Sequence, residues 1–235
     1  MIRLANVTKR YGKLQVLHDV NLDCSSGQCI ALIGPNGCGK TTVIKSILGM
    51  VIPDSGNIYF QDQSIKNGFK YRHHIGYMPQ IGHYPQNMTI GQVIEMIRSI
   101  RGVNMFDEDL LNAYRLKEMY HKRMNALSGG TIQKVSASIA FLFNPDVLIL
   151  DEPTAGLDPL AAEILKEKII AERQRNKLIL ITSHLLSELD DLVSQLVFMQ
   201  EGNIVFHKDI ELLKQETGEN KVSGVILKSM KTGIA

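Results

Sequence analysis

The stretch Gly34-Pro35-Asn36-Gly37-Cys38-Gly39-Lys40-Thr41-Thr42 decides how this chain is read. Ahead of it, Cys29-Ile30-Ala31-Leu32-Ile33 is apolar and strand-like; behind it, Thr42-Val43-Ile44-Lys45-Ser46-Ile47-Leu48 has helical spacing. A strand, a glycine-rich turn and a helix N-terminus together cradle a polyphosphate. Backbone N–H groups point inward at the oxygens, and the helix dipole adds positive potential. Gly34, Gly37 and Gly39 permit backbone angles and a close approach that side chains would block. Lys40 reaches the β- and γ-phosphates as a point charge, and Thr41 sets its hydroxyl on a Mg2+ ion. A glycine-rich turn that binds nothing is the alternative, and it leaves the flanking strand and helix unexplained.

Outside this stretch, composition narrows the classes. A length of 235 residues allows one generous domain or two small ones with a substantial core. A net charge of +2, with no basic block or tail, argues against a nucleic-acid partner. The first residues lack the apolar run of a signal peptide, and no window approaches the roughly 20 apolar residues that span a bilayer. The polypeptide is therefore expected not to cross a membrane by itself. Cys24, Cys29 and Cys38 form neither a metal-finger spacing nor an even disulfide set, which suits a reducing cytoplasm. Cys24 and Cys29 as a soft-metal pair is weighed against two ordinary buried thiols.

Along the chain, strands are expected at 2–7 and 16–22, around a turn at Tyr11-Gly12-Lys13, and at 57–60 and 75–78. From Thr89 the period becomes helical, with Ile90, Val93, Ile94 and Ile97 on one face. A second helix is expected over 107–120. A third follows a cap at Ser128, with Ile132, Val135 and Ile139 on its face. Then β/α alternation resumes: strand 147–150, helix 159–174, strand 178–182 and helix 185–192, an order that implies a parallel sheet. A terminal hairpin turns at Glu201-Gly202-Asn203, and the last fifteen residues are polar and weakly patterned.

Two further signals carry chemistry. Asp151 and Glu152 close the apolar strand Val147-Leu148-Ile149-Leu150, and ligands gather beyond the carboxyl ends of parallel strands. Asp151 is placed to hold Mg2+, directly or through water, and Glu152 to face an attacking water. Phosphoryl transfer needs both roles. Leu127-Ser128-Gly129-Gly130 opens a helix, either as a plain cap or as a second anion site. A second such site needs another phosphate or another subunit.

Taken together, these elements resemble the ATP-binding subunit of an ABC transporter over nearly the whole length. The loop 34–42 resembles Walker A, 127–130 the signature motif, 147–153 Walker B and 155–158 the D-loop. Gln80, after Tyr77-Met78-Pro79, is similar to the Q-loop glutamine; by itself it is a polar residue after proline. His184 is similar to the switch histidine; by itself it caps or packs. Tyr11 falls where the family stacks a ring on adenine; by itself it packs in a turn. Thr131 stands where many members carry glutamine, and Ser136-Ala137-Ser138 replaces an arginine-rich stretch.

The resemblance implies an α/β P-loop NTPase with a RecA-like parallel-sheet core, an N-terminal antiparallel β subdomain and a helical subdomain inserted at about 87–143. All lie in one domain over 1–235, and 216–235 forms a tail without an assigned role. It implies a Mg2+-dependent ATPase with Lys40, Glu152 and His184 catalytic. Tyr11 and residues 34–42 would bind the nucleotide, with Ser128, Gly129 and Gly130 of a second, head-to-tail copy. Thr41, Gln80 and Asp151 would serve the metal. A separate transmembrane permease would hold the subunit at the cytoplasmic face of the membrane.

The permease would dock on the region 80–94, where methionines at 78, 88, 96, 105, 119 and 124 suit an adaptable groove or simply fill the core. The segments 151–159, 74–80 and 183–191 resemble exporters, including ATPases linked to copper handling in nitrous oxide reductase maturation. His73, His74 and His83 read as solvated surface histidines rather than copper ligands. The second class of function is a soluble ABC ATPase acting on ribosomes or DNA.

Overall fold

A computed structural model describes residues 1–102, 105–183 and 189–232. The chain divides into two compact units, residues 1–72 with 178–235, and residues 73–177.

In the first unit, β1 (Ile2–Tyr11) pairs antiparallel with β2 (Leu14–Cys24) and with β4 (Ser55–Phe60), and β5 (Gln63–Ser64) adds an edge. Ile2, Leu4 and Val7 of β1 are buried. The register slips between Leu4 and Val7, where Asn6 takes a left-handed φ of 51°. That bulge turns the strand without losing its apolar face. The expected strands at 2–7 and 16–22 are thus longer, and their tips meet at the Tyr11–Leu14 pair.

The second sheet of this unit centres on β3 (Cys29–Ile33), buried at every residue. It runs parallel to β8 (Leu178–Thr182) and to β9 (Gln195–Gln200), and β10 (Asn203–Asp209) closes the hairpin antiparallel to β9. Continuous apolar runs such as Leu178-Ile179-Leu180-Ile181 fit strands covered on both faces. Glu201 and Gly202, at φ 46° and 78°, form the hairpin turn whose twist matches the strands.

The second unit pairs β6 (Ile75–Met78) in parallel with β7 (Val147–Asp151). Around them lie α2 (Ile90–Arg101), α3 (Asp109–Ala113), α4 (Gly129–Phe141) and α5 (Pro159–Gln174). Thr89 starts α2 with a capping box to Gln92. Ile90, Val93 and Ile94 are buried as the spacing predicts. The α4 face is broader than expected: Val135 is buried with 136–138, Ala140 and Phe141, while Ile132 and Ile139 are half-buried. Small residues let β6 approach closely. A Cβ on Gly76 would stand 2.0 Å from the Ala140 carbonyl oxygen.

Three expectations are corrected. The helix over 107–120 is α3, a left-handed Arg115 (φ 55°) and a 3-10 turn at Leu116–Met119. On an unbroken helix Leu116 would leave the face shared by Leu110, Leu111 and Tyr114; the break buries all four. Of the helix expected over 185–192, residues 185–188 lie outside the described residues and 189–192 form turns. The weakly patterned tail is helical too: after α6 (Ile210–Thr217) ends at Gly218, α7 (Val222–Thr232) buries Val222, Val225 and Ile226. The Val222 N–H donates to Asp190 Oδ1 at 2.6 Å, which anchors the first turn of α7.

Candidate functional site

In the first unit, β3 leads into the 34–39 turn and α1 (Lys40–Ile47). Gly34, Gly37 and Gly39 have φ of 151°, 80° and 109°, so all three use backbone space that favours glycine. Two of them are also pressed from behind. A Cβ at Gly34 would stand 2.1 Å from the Met199 carbonyl oxygen, and one at Gly39 would stand 2.8 Å from Leu17 Cδ2. The Gly202 N–H donates to the Cys38 carbonyl at 3.1 Å, so the β9–β10 turn pins the loop. Cys38 is buried, whereas Pro35, Asn36, Gly37 and Thr41 face solvent and Thr42 is half-buried.

Gly39 offers no side chain to cap α1, and the first N–H groups of a helix lack intrahelical partners. Lys40 Nζ donates to the Gly34 carbonyl at 2.7 Å and to the Pro35 carbonyl at 3.0 Å. Among the described residues no carboxylate pairs with it. Neutral dipoles therefore hold an uncompensated cation beside unsatisfied amides, a set suited to an anion. Tyr11 ends β1 half exposed, with Lys9 Nζ 5.6 Å from its ring centre.

In the second unit, β7 ends at Asp151, which is 8% exposed. Burial pushes the Tyr77 phenol up, and the Asp151 charge adds to the shift. Glu152 takes a left-handed φ of 52°, a conformation that costs an ordinary residue roughly 1–2 kcal/mol. It is held there from two sides. Gln80 Nε2 donates to Glu152 Oε2 at 3.0 Å, and the Ala155 N–H donates to the Glu152 carbonyl at 3.1 Å. The structure thus joins two residues that the sequence reading named separately.

Ser128 caps α4, its Oγ accepting from the Thr131 N–H at 3.3 Å. A Cβ at Gly130 would stand 2.8 Å from the Gly156 carbonyl oxygen, whereas one at Gly129 meets open space. Lys134 Nζ donates to Asp158 Oδ2 at 2.6 Å. That bond first, then the Ala161 N–H, holds the Asp158 carboxyl below the usual range. Gln133, which sequence reading passed over, is buried between the Gln80 and Ala155 carbonyls. No local signal marks it, since a lone glutamine on a helix is ordinary in sequence. His184 lies outside the described residues.

The family model described as ABC transporter matches residues 17–155, more than half of the chain.

The chain belongs to the ABC transporter family.

Nod factor export ATP-binding protein I of Burkholderia lata is 32% identical over 207 residues, covering 86% of this ABC ATPase and 68% of that protein. Lantibiotic transport ATP-binding protein SrtF of Streptococcus pyogenes is 32% identical over 212 residues, covering 90% and 92%. A solved ATP binding subunit of an ABC transporter matches with a TM-score of 0.88 at 26% identity, over 97% of this chain and 98% of that one. A dimeric cassette bound to ADP and Pi, 22% identical, shares the fold with a TM-score of 0.80 over 89% of this chain and 99% of that one. The expected α/β class holds, and this is an ATPase of the ABC type, an ATP-binding subunit of a transporter. No helix among the described residues is long and apolar enough to cross a membrane.

Proposed function

We propose that this ABC ATPase binds MgATP at residues 34–42, hydrolyses it between two head-to-tail copies, and so drives export through a separate transmembrane permease at the cytoplasmic face. The observation that carries the reading is Lys40, a cation with no carboxylate partner among the described residues, at a helix N-terminus without a side-chain cap. Loop amides and Lys40 hold the β- and γ-phosphates, and Tyr11 stacks on the adenine. Thr41, Asp151 and Gln80 supply hard oxygens of the type Mg2+ takes, and the ion would offset charge on the phosphates. The Gln80 amide is oriented for this, since its Nε2 is spent on Glu152. Glu152 accepts the proton of the attacking water as the new P–O bond forms; the β,γ-bridging oxygen leaves with ADP, and inorganic phosphate is released. His184 contacts the same γ-phosphate.

The second copy enters through α4. Gly129 has open space where a side chain would go, so packing within one copy gives no reason for glycine there. A γ-phosphate held by another copy and reaching the Ser128–Gly130 turn gives one. Loss of that phosphate on hydrolysis releases the pair, a ligand-driven order and release cycle. The export direction rests on the Nod factor relative's name. A ribosome or DNA role gains nothing from relatives named for export and transport. Nor does a copper-related cargo gain from them, since the relatives are named for Nod factor export and lantibiotic transport.

The test is Glu152→Gln in the full chain. ATP affinity should stay within about threefold while turnover falls on the order of 10²–10⁴-fold, the range for a lost general base. Light scattering with ATP should then show a trapped dimer. A strictly monomeric variant, or undiminished turnover, would overturn the reading.

A further inference from the structure

Glu152 sits in a closed hydrogen-bond circuit. Its carboxylate takes the Gln80 amide at 3.0 Å; the Gln80 backbone carbonyl takes Gln133 Nε2 at 3.0 Å. The same Nε2 reaches the Ala155 carbonyl at 3.3 Å, and the Ala155 N–H returns to the Glu152 carbonyl at 3.1 Å. Gln133 is the one member that joins the two arms. Its orientation is decided chemically, because both neighbours are carbonyl oxygens and only the NH2 end can face them. Gln133 Oε1 is left buried with no hydrogen-bond partner among the described residues. A buried amide kept at that cost is not there for stability alone.

The circuit matters because Glu152 occupies a backbone region that persists only when its surroundings over-determine it. Neighbouring contacts fasten the same helix to the same loops. Tyr84 Oη and Ser136 Oγ hydrogen-bond at 3.0 Å on the Gln80 side, and Lys134 pairs with Asp158 on the Ala155 side. The helix whose first turn carries Ser128 therefore also sets the loop that presents the carboxylate.

We infer that Gln133 is a positioning residue for ATP hydrolysis, holding Glu152 in register with the Gln80 and Ala155 arms without touching the nucleotide. The inference rests on the reading of Glu152 as the base. Gln133→Met keeps the length and volume of the side chain and removes both donors. Measured on the full chain with MgATP, kcat per folded molecule should fall on the order of tenfold or more, as small displacements of a reacting group do. KM and the affinity for ATP should stay within about threefold. Combined with Gln80→Ala, the losses should be strongly non-additive, since both substitutions cut one circuit. A filler role for Gln133 leaves kcat unchanged while lowering only the melting temperature, and that result would overturn the inference. Should the Met variant not fold, Gln133→Asn decides: it keeps the amide but is one carbon too short for both carbonyls, and an undiminished kcat would again refute it. Wild-type chain without ATP turnover, or an undiminished Glu152→Gln variant, would instead remove the reading beneath.

Discussion

At Lys40, one side chain separates a structural turn from a phosphate site. Its amine rests on two carbonyls of its own loop, 2.7 and 3.0 Å away. Such contacts orient the charge without neutralising it, so the attraction for an anion stays intact. Lys40→Ala should weaken ATP binding roughly 10–100-fold, the equivalent of one charge-assisted hydrogen bond, by titration calorimetry. An unchanged affinity would remove the loop from the site. The chemical identities of Lys40, Asp151 and Glu152 were legible from residue type and position, because a loop between strand and helix advertises itself locally. Gln133 was not legible. It lies three residues beyond Gly130, and a lone glutamine on a helix gives no sign of two carbonyls waiting for it.

Elements were predictable where a single period governed them. Helix α5 spans the expected 159–174, because Asp158 caps it, Pro159 opens it and nothing interrupts the pattern. Where burial competes with the period, the period lost, as at Arg115. Helix α6 was missed although Asp209 accepts from the Glu211 and Leu212 N–H groups and Gly218 stops it, both visible as sequence signals. Helix α5 also carries a buried ionic cluster. Glu172 is fully buried beside Lys168, Lys177 and Arg175, and Lys168 continues to Asp107 at 2.6 Å and Asp109 at 2.7 Å. Burial alone would raise the Glu172 carboxyl; Lys177 and Lys168 overcome it and hold the group below its ordinary 4.5. Its contribution is therefore complete above pH about 4.5 and is lost as pH falls through the lower folded value. Glu172→Gln should cost about 3–5 kcal/mol at neutral pH, since it leaves the buried Lys177 ammonium without a carboxylate among the described residues, while Lys168 keeps Asp107 and Asp109, and it should cost less in acid. Urea unfolding at pH 7 and in acid checks this; an equal loss at both would show that packing, not charge, is at stake.

For the molecule as a whole, the consequence is association. Among the described residues a Cβ at Gly129 meets nothing within 4 Å, so Gly129→Glu should fold with an unchanged melting temperature and bind ATP as a monomer. In the Glu152→Gln background it should abolish the ATP-dependent dimer, because a carboxylate at that turn repels a γ-phosphate. Retention of the dimer by light scattering would place the contact elsewhere.

What sequence alone determined is local: a nine-residue loop, an acid pair ending an apolar strand, a serine-capped helix and the order in which they come. Each is written in neighbouring residues, and period and motif read neighbours. Tertiary structure decided what holds them. Gln80 and Glu152 stand 72 residues apart, and Gln133 and Gln80 stand 53 apart. No local pattern encodes a hydrogen bond across such distances; it exists only once strands β6 and β7 lie side by side and α4 packs on β6.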